Sequence, residues 1–315
     1  MTKVAIIGAG LIGRAWAISF ARAGHEVALT DAQPGAVDKA LAFVDGALDQ
    51  LAGYDLLNGA PPPEVRARIR AAAGLAEALA GAVHVQENTP EEIEVKRAIF
   101  AELDRLAPPE TVLASSTSAL LASAFTESLP GRARCLVVHP INPPYLVPAV
   151  EIVPAPWTDP AVVGRTRQLL SDAGQAPFVM QREIDGFVVN RLQGALLQEA
   201  FRLVADGYAS VEDVDIAIRQ GLALRWSFMG PFETIDLNAP GGVHDYVQRY
   251  GGLYDGLFES QKRRADWRGP VLETIGAQRR ARLKESELGE RAVWRDRRLM
   301  ALAAHKRAAK TEIGD

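Results

Sequence analysis

Lys3-Val-Ala-Ile-Ile-Gly-Ala-Gly-Leu-Ile-Gly13 stands at the head of the chain, and its reading decides the fold. Val4 to Ile7 is a nearly continuous apolar run, the pattern of a parallel strand buried on both faces. Gly8, Gly10 and Gly13 follow with G-x-G-x-x-G spacing. Ile12, Ala15, Trp16, Ser19 and Phe20 then recur at helical spacing up to Gly24, and Glu26-Val-Ala-Leu-Thr30 reads as a second strand closed by Asp31. Strand, glycine turn, helix, strand and acid make one βαβ unit. A pyrophosphate needs backbone N–H groups aimed at it and no side chain in the way. Gly8 permits the tight turn, Gly10 lets the backbone approach the phosphates, and Gly13 lets the helix pack closely on the strand. Leu11 and Ile12 open the helix whose N-terminus supplies partial positive charge. The Asp31 carboxylate can accept both ribose hydroxyls and would repel a 2′-phosphate, so NAD is expected rather than NADP.

Working outward, Ala82–Gln86, Thr111–Ser115, Cys135–Val138 and Ala149–Val153 are further strand candidates. Thr89-Pro90-Glu91-Glu92 predicts a helix start with Thr89 as N-cap. Residues 35–80 read as two helices broken near Asn58-Gly-Ala-Pro-Pro-Pro63, the second carrying Arg66, Arg68 and Arg70. Strands alternating with helices predict an α/β fold with a Rossmann-type, doubly wound, mostly parallel sheet. After Gly186 the texture changes. Phe187–Val204 reads as one long helix, and only helices are expected from Val211 on. The expected division is a dinucleotide domain over 1–187 and an all-helical C-terminal domain over 188–315.

Composition narrows the function classes. The chain has 315 residues, 48% hydrophobic and 23% charged, with a net charge of −4. That suits a globular protein with a sizeable core and makes no electrostatic case for nucleic acid or an anionic membrane. Cys135 is the single cysteine, which excludes an intrachain disulfide or a Cys-based zinc site and lies in a buried-strand pattern. The remaining histidines, His25, His84, His244 and His305, lack metal-ligand spacing and read as surface or loop residues, so no metal is expected. No stretch is apolar enough to span a bilayer, and Val4–Ile7 runs into glycines without a leader pattern, so the expected compartment is the cytoplasm. The Arg-rich stretch from Arg279 to Lys310 is interleaved with acids and reads as a solvated or subunit-contact face.

Two residues point to acid–base chemistry. His139 ends an apolar strand, where ligands sit in a doubly wound sheet. Glu151 lies inside the strand-like run Ala-Val-Glu-Ile-Val, where a carboxylate is costly without a partner. Pairing the two meets that need, fixes the imidazole tautomer and raises its basicity.

These residues, with others in order, resemble the 3-hydroxyacyl-CoA dehydrogenase superfamily over most of the chain. The motifs are Ser115-Ser-Thr-Ser118, His139 before Asn142-Pro143, Glu151, Gly186-Phe-Val-Val-Asn-Arg191, and Met229-Gly-Pro-Phe-Glu233. Within it the chain is most similar to the lambda-crystallin / L-gulonate 3-dehydrogenase branch. His139-Pro-Ile-Asn-Pro-Pro-Tyr145, Arg225-Trp-Ser-Phe through Leu237-Asn238, and the tail from Arg291 to Arg307 carry that likeness.

The resemblance implies that His139, Glu151, Ser118 and Asn190 are catalytic. It also implies that Glu91, Lys96 and Asn142 contact the cofactor, although spacing alone makes Glu91 and Lys96 ordinary helix-surface charges. Further implications are a small 3-hydroxy acid substrate and a homodimer contact on the helical domain. L-gulonate is the leading substrate, with 3-hydroxybutyryl-CoA or another 3-hydroxyacyl-CoA and carnitine as alternatives. A non-catalytic crystallin-like protein that keeps the fold and the nucleotide is a reading of another class. Arg225 sits in an apolar-aromatic setting. It reads equally as a bidentate clamp for a substrate carboxylate and as a structural ion pair or helix cap.

Overall fold

The computed structural model describes residues 2–314. Its first compact unit runs up to Asn190 and also takes in Arg295–His305. Eight strands form one sheet: β1 (Lys3–Ile7), β2 (Glu26–Thr30), β3 (Ile69–Ala71), β4 (Ala82–Glu87), β5 (Val112–Ser115), β6 (Cys135–Pro140), β7 (Ala149–Pro154) and β8 (Ala176–Val179). Their order is β3-β2-β1-β4-β5-β6-β7-β8. All neighbours are parallel except β6 and β7. Helices α1 (Leu11–Arg22), α2 (Ala36–Gly53), α3 (Pro62–Ala67), α4 (Leu75–Leu79), α5 (Ile93–Leu106), α6 (Ala122–Thr126) and α7 (Pro160–Asp172) connect them. This is the Rossmann-type, mostly parallel sheet that the opening motif predicts.

The period of two in β1 builds two cores. Val4 and Ile6 pack on one face with Trp16 and Phe20 of α1 and Val44, Leu48 and Leu51 of α2. Ala5 and Ile7 face the other way, toward Phe100 and Leu103 of α5 and Phe125 of α6. A strand covered on both faces has no need of alternating polarity, which is why it reads as an apolar run.

Several local expectations need correction. The 35–80 region holds α2, α3, α4 and the short edge strand β3, so Arg68 caps α3 and Arg70 lies in β3. Three paired residues are too short to show a period in sequence. Strand β8 likewise has no counterpart among the strand candidates of the sequence. Thr89 does not cap α5, which starts at Ile93 with Glu92 at the cap position. The N–H and hydroxyl of Thr89 turn back instead to the Glu87 carboxylate. His84 is fully buried in β4, not a surface residue, with Nε2 on Gln86 Oε1 at 3.0 Å.

The second unit spans Arg191–Trp294 and resumes at Lys306. The helices that lie in it wholly or in part are α8 (Val189–Ala205), α9 (Val211–Ile216), α10 (Ala223–Trp226), α11 (Pro231–Asp236), α12 (Gly242–Gln261), α13 (Pro270–Arg282) and α14 (Leu288–Ile313), with a π-helical turn over Ala217–Leu222. It is all helical, as expected. Helix α8 begins at Val189 rather than Phe187, because Gly186 and Phe187 both adopt left-handed φ values of 76° and 49°. None of the described helices is long and apolar enough to cross a membrane.

Candidate active site

The glycine turn does what its spacing requires. Gly8 has φ +92°, and a Cβ there would lie 2.8 Å from the Asn88 carbonyl oxygen. A Cβ on Gly13 would fall 1.8 Å from the Gly8 oxygen, so only glycine lets α1 sit this close to the end of β1. Gly10, by contrast, has nothing within 4 Å of a built Cβ. The space in front of it is open toward a cleft of about 940 Å³ lined by Gly8–Leu11, Thr30, Asp31, Gln33, Lys39 and Asn88 among others. Leu11 is exposed and half-buried Ile12 follows it in the first turn of α1, whose free N–H groups open there. Asp31 closes β2, and its two oxygens accept the N–H groups of Ala9 (2.7 Å) and Gln33 (2.8 Å). A carboxylate has about four acceptor positions, so Asp31 keeps capacity for ribose hydroxyls. Turn, open approach and acid fit a dinucleotide.

The antiparallel pairing of β6 and β7 sets His139 directly opposite Glu151. His139 Nδ1 lies 2.6 Å from Glu151 Oε2, and both side chains are buried. The other carboxylate oxygen, Oε1, accepts the N–H groups of Val188 (2.8 Å) and Val189 (3.0 Å) at the start of α8. The left-handed Gly186-Phe187 pair delivers those two N–H groups. Phe187 also packs its ring on His139, centroids 5.4 Å apart. Desolvation is the largest influence on the Glu151 carboxyl and pushes its pKa up. The His139 hydrogen bond and the two backbone N–H groups outweigh it together and hold the group below the ordinary carboxylate range. Glu151 is therefore the acceptor and His139 Nδ1 the donor, so in the neutral imidazole Nε2 is the nitrogen that can take a proton.

Ser118 lies just beyond β5 and is exposed; Asn190 is in the first turn of α8. The structure joins them: Asn190 Nδ2 donates to the Ser118 carbonyl at 2.8 Å. Glu91 accepts from the Thr117 hydroxyl and from the N–H groups of Ser118 (3.0 Å) and Ala119 (2.9 Å), so it braces the Ser118 turn. Lys96 is not a surface charge. It is 1% exposed, and its ammonium is fully used by Glu87 Oε1 (2.8 Å), Glu87 Oε2 (2.9 Å) and the Thr89 carbonyl (2.9 Å). Glu87 also accepts from the Ser115 hydroxyl at 2.6 Å. The cue that singles out Glu151, a carboxylate inside a strand-like run, is present at Glu87 too and points to Lys96. Asn142 is exposed and precedes a cis peptide to Pro143.

Two residues had no signal in sequence. Asn88 crowds Gly8 and ties β4 to β1 through the Ile7 carbonyl. Ser116 joins the Trp16 indole N–H, the Gln86 amide and Asn88 in one buried network. Arg225 lies in α10 of the helical unit, half-buried, and its carbonyl accepts the N–H groups of Phe228 and Met229 (both 3.2 Å). Among the described residues no group of three or more His, Cys, Asp or Glu side chains is placed to hold a metal ion.

Comparison with known proteins agrees with this geometry. Residues 3–184 match the NAD binding domain of 3-hydroxyacyl-CoA dehydrogenase, and residues 186–287 match its C-terminal domain. A lambda-crystallin homolog of Bos taurus is 43% identical over 96% of this chain and 95% of its own. An L-carnitine dehydrogenase of Streptomyces coelicolor is 38% identical over 79% of this chain and 77% of its own. Among solved structures, a 5-formyl-3-hydroxy-2-methylpyridine 4-carboxylic acid 5-dehydrogenase superposes with a TM-score of 0.82 at 27% identity, covering 96% of this chain and 98% of that one. The chain belongs to the 3-hydroxyacyl-CoA dehydrogenase family and is an NAD-dependent hydroxy-acid dehydrogenase.

Proposed function

We propose that the protein oxidises the 3-hydroxyl of a small hydroxy acid, with L-gulonate, giving 3-dehydro-L-gulonate, as the leading substrate. The observation that carries the chemistry is the 2.6 Å His139–Glu151 contact with both Glu151 oxygens engaged. His139 Nε2 takes the hydroxyl proton as general base. Glu151 keeps the imidazole in the needed tautomer and stabilises the positive charge that forms on it. The Ser118 hydroxyl and the Asn190 amide hold the reacting oxygen, with Glu91 and the Asn190–Ser118 bond fixing their turn. NAD, when bound, supplies the hydride acceptor. Gly8, Gly10, Gly13 and the N–H groups of Leu11 and Ile12 would hold its phosphates, and Asp31 its adenosine ribose. Asn142 would lie toward its nicotinamide half, while Lys96 would act there through the Glu87–Thr89 turn.

The choice of L-gulonate rests on likeness to the lambda-crystallin branch, whose members match this chain nearly end to end. Carnitine is the second reading, favoured by the carnitine dehydrogenase relatives. In either case Arg225 would clamp the substrate carboxylate. A homodimer is part of the same proposal. Helices α8, α9, α10 and α12 bury no residue in the single chain, and Phe228, Phe232 and Leu253 are 73%, 79% and 62% exposed. Apolar exposure on this scale suits a subunit contact. We place the enzyme in the cytoplasm.

The test is the initial rate of NAD reduction with L-gulonate, L-carnitine, 3-hydroxybutyrate and 3-hydroxybutyryl-CoA side by side. A preference for L-gulonate supports the proposal; a preference for the CoA ester or carnitine replaces its substrate. Binding of NADH with silence on all four would remove the small 3-hydroxy acids tried and reopen the crystallin-like reading.

A further inference from the structure

The G-x-G-x-x-G pattern is followed at once by Arg14, a residue the pattern does not call for. Its backbone N–H bonds the Gly10 carbonyl at 3.1 Å, so it stands one turn into α1, above the open approach at Gly10. The side chain is half-buried and lines the same cleft as Gly8–Leu11 and Asp31. Its guanidinium carbon lies over the ring of Phe43 of α2, 3.7 Å from the centroid. Stacking of this kind fixes a guanidinium in place and leaves its N–H edge free to donate.

Among the described residues no carboxylate pairs with Arg14, and its buried Nε has no hydrogen-bond partner. The other buried and half-buried arginines of the first unit differ. Arg22 donates to the Tyr145 carbonyl, Arg66 pairs with Asp45, Arg68 with Glu64 and Arg134 with Asp104. Asp31 and Glu102 line the same cleft, but neither forms an ion pair with Arg14, and the Asp31 oxygens accept the N–H groups of Ala9 and Gln33. Burial pulls the Arg14 pKa down, the direction of a cation short of both solvent and counter-charge, with Tyr145 acting weakly the other way. Lys39, from α2, adds a second cation to the cleft lining. A half-buried guanidinium facing a cleft without a counterion is costly unless an anion occupies that cleft.

We infer that Arg14, held on Phe43, is a cofactor-binding residue that donates to the pyrophosphate of the dinucleotide alongside the N-terminus of α1. The inference rests on the dinucleotide reading of this cleft and adds a side-chain ligand to a site otherwise built from backbone. The bound anion would receive charge-assisted N–H···O bonds from the guanidinium edge while the helix supplies backbone N–H groups.

The experiment is equilibrium binding of NADH, ADP and adenosine to wild-type protein, Arg14→Gln and Arg14→Lys, by calorimetry, with thermal melting of each protein as the check on folding. A lost hydrogen bond to a charged group corresponds to at least about a tenfold change in Kd. Arg14→Gln should weaken NADH and ADP by that factor and leave adenosine within twofold, with Arg14→Lys recovering part of the loss. Unchanged NADH and ADP affinity in Arg14→Gln overturns the inference while leaving the dinucleotide site intact. Equal losses for adenosine and ADP overturn it as well, because the damage is then not to phosphate binding. A raised KM for the hydroxy acid with unchanged NADH affinity assigns Arg14 to a substrate anion instead. Wild-type protein that binds neither NADH nor ADP removes the dinucleotide reading and this inference together.

Discussion

Replacing Gly13 by alanine should destabilise the dinucleotide turn, against the usual trend for a helix. In an exposed helix interior, Gly→Ala stabilises by up to about 1 kcal/mol, because glycine loses more backbone entropy on folding. At Gly13 the new Cβ would stand 1.8 Å from the Gly8 oxygen, 3.0 Å from its carbonyl carbon and 3.3 Å from Ile6 Cγ2. A carbon and a carbonyl oxygen approach to roughly 3.3 Å. Helix α1 would have to retreat from β1 by about 1.5 Å, which loosens the core where its own fully buried Trp16 and Ala17 meet Val4 and Ile6 of the strand. Overpacking on that scale costs about 1–3 kcal/mol, and the obstructing atom is backbone, so the upper half of the range applies.

After offsetting the helix propensity, a net loss of about 1–2 kcal/mol is expected, or roughly 2–8 °C in Tm for a domain of this size. Two controls isolate the cause. Gly46, exposed in α2 with nothing within 4 Å, should accept alanine and melt slightly higher. Gly10 also has nothing within 4 Å and a φ of −66°, so Gly10→Ala should melt like wild type. It should nonetheless bind NADH about tenfold more weakly, because its methyl enters the space reserved for phosphate. The assay is thermal melting with NADH titration on all three. Gly13→Ala melting at or above wild type, or Gly10→Ala binding NADH normally, would refute the reasoning.

Other consequences follow from the same geometry. Glu151→Gln turns one acceptor oxygen into a donor facing His139 Nδ1–H or the Val188 and Val189 N–H groups, so kcat should fall about 10–100-fold with NADH affinity retained; a kcat within twofold of wild type would count against the dyad. His84 has its pKa pushed down from 6.5 to about 4, first by burial, and so stays neutral in the folded protein while the unfolded chain takes up a proton. The unfolded state binds more protons in that window, so His84 should lower stability as pH falls from about 6.5 to 4, by about 3 kcal/mol at roughly 1.4 kcal/mol per pH unit. Denaturant unfolding at pH 7.5 and 4.5 should therefore show a smaller pH loss in His84→Gln than in wild type, and an identical loss would exclude the effect. Arg225→Met should raise KM for free hydroxy acids far more than KM for NAD, and equal rises would remove the carboxylate clamp.

The sheet, the dinucleotide turn and the division into α/β and helical units were legible because each depends on local pattern. Buried strands read as apolar runs, and Gly8 and Gly13 answer steric demands set within a few residues. The His139–Glu151 pair was legible for a different reason: a strand carboxylate needs a partner, and few candidates exist. What escaped was set by side-chain partners and strand placement rather than by a repeating local pattern. Lys96 is buried because Glu87, at the end of a neighbouring strand, needs a cation. Thr89 looks like a cap by spacing but is claimed by that same carboxylate. His84 looks like a solvent-facing histidine until β4 is placed between β1 and β5. Strand β3 has no period to read because only three residues pair.

The most direct test of the proposed chemistry is the initial rate of NAD reduction by His139→Gln against wild type. It uses the wild type's preferred hydroxy acid at saturating NAD, with NADH binding measured on both proteins. A fall of about 10²-fold or more with NADH affinity unchanged is the expected result for a general base held at Nδ1 by Glu151. Turnover within about tenfold of wild type would contradict it and move the proton acceptor elsewhere.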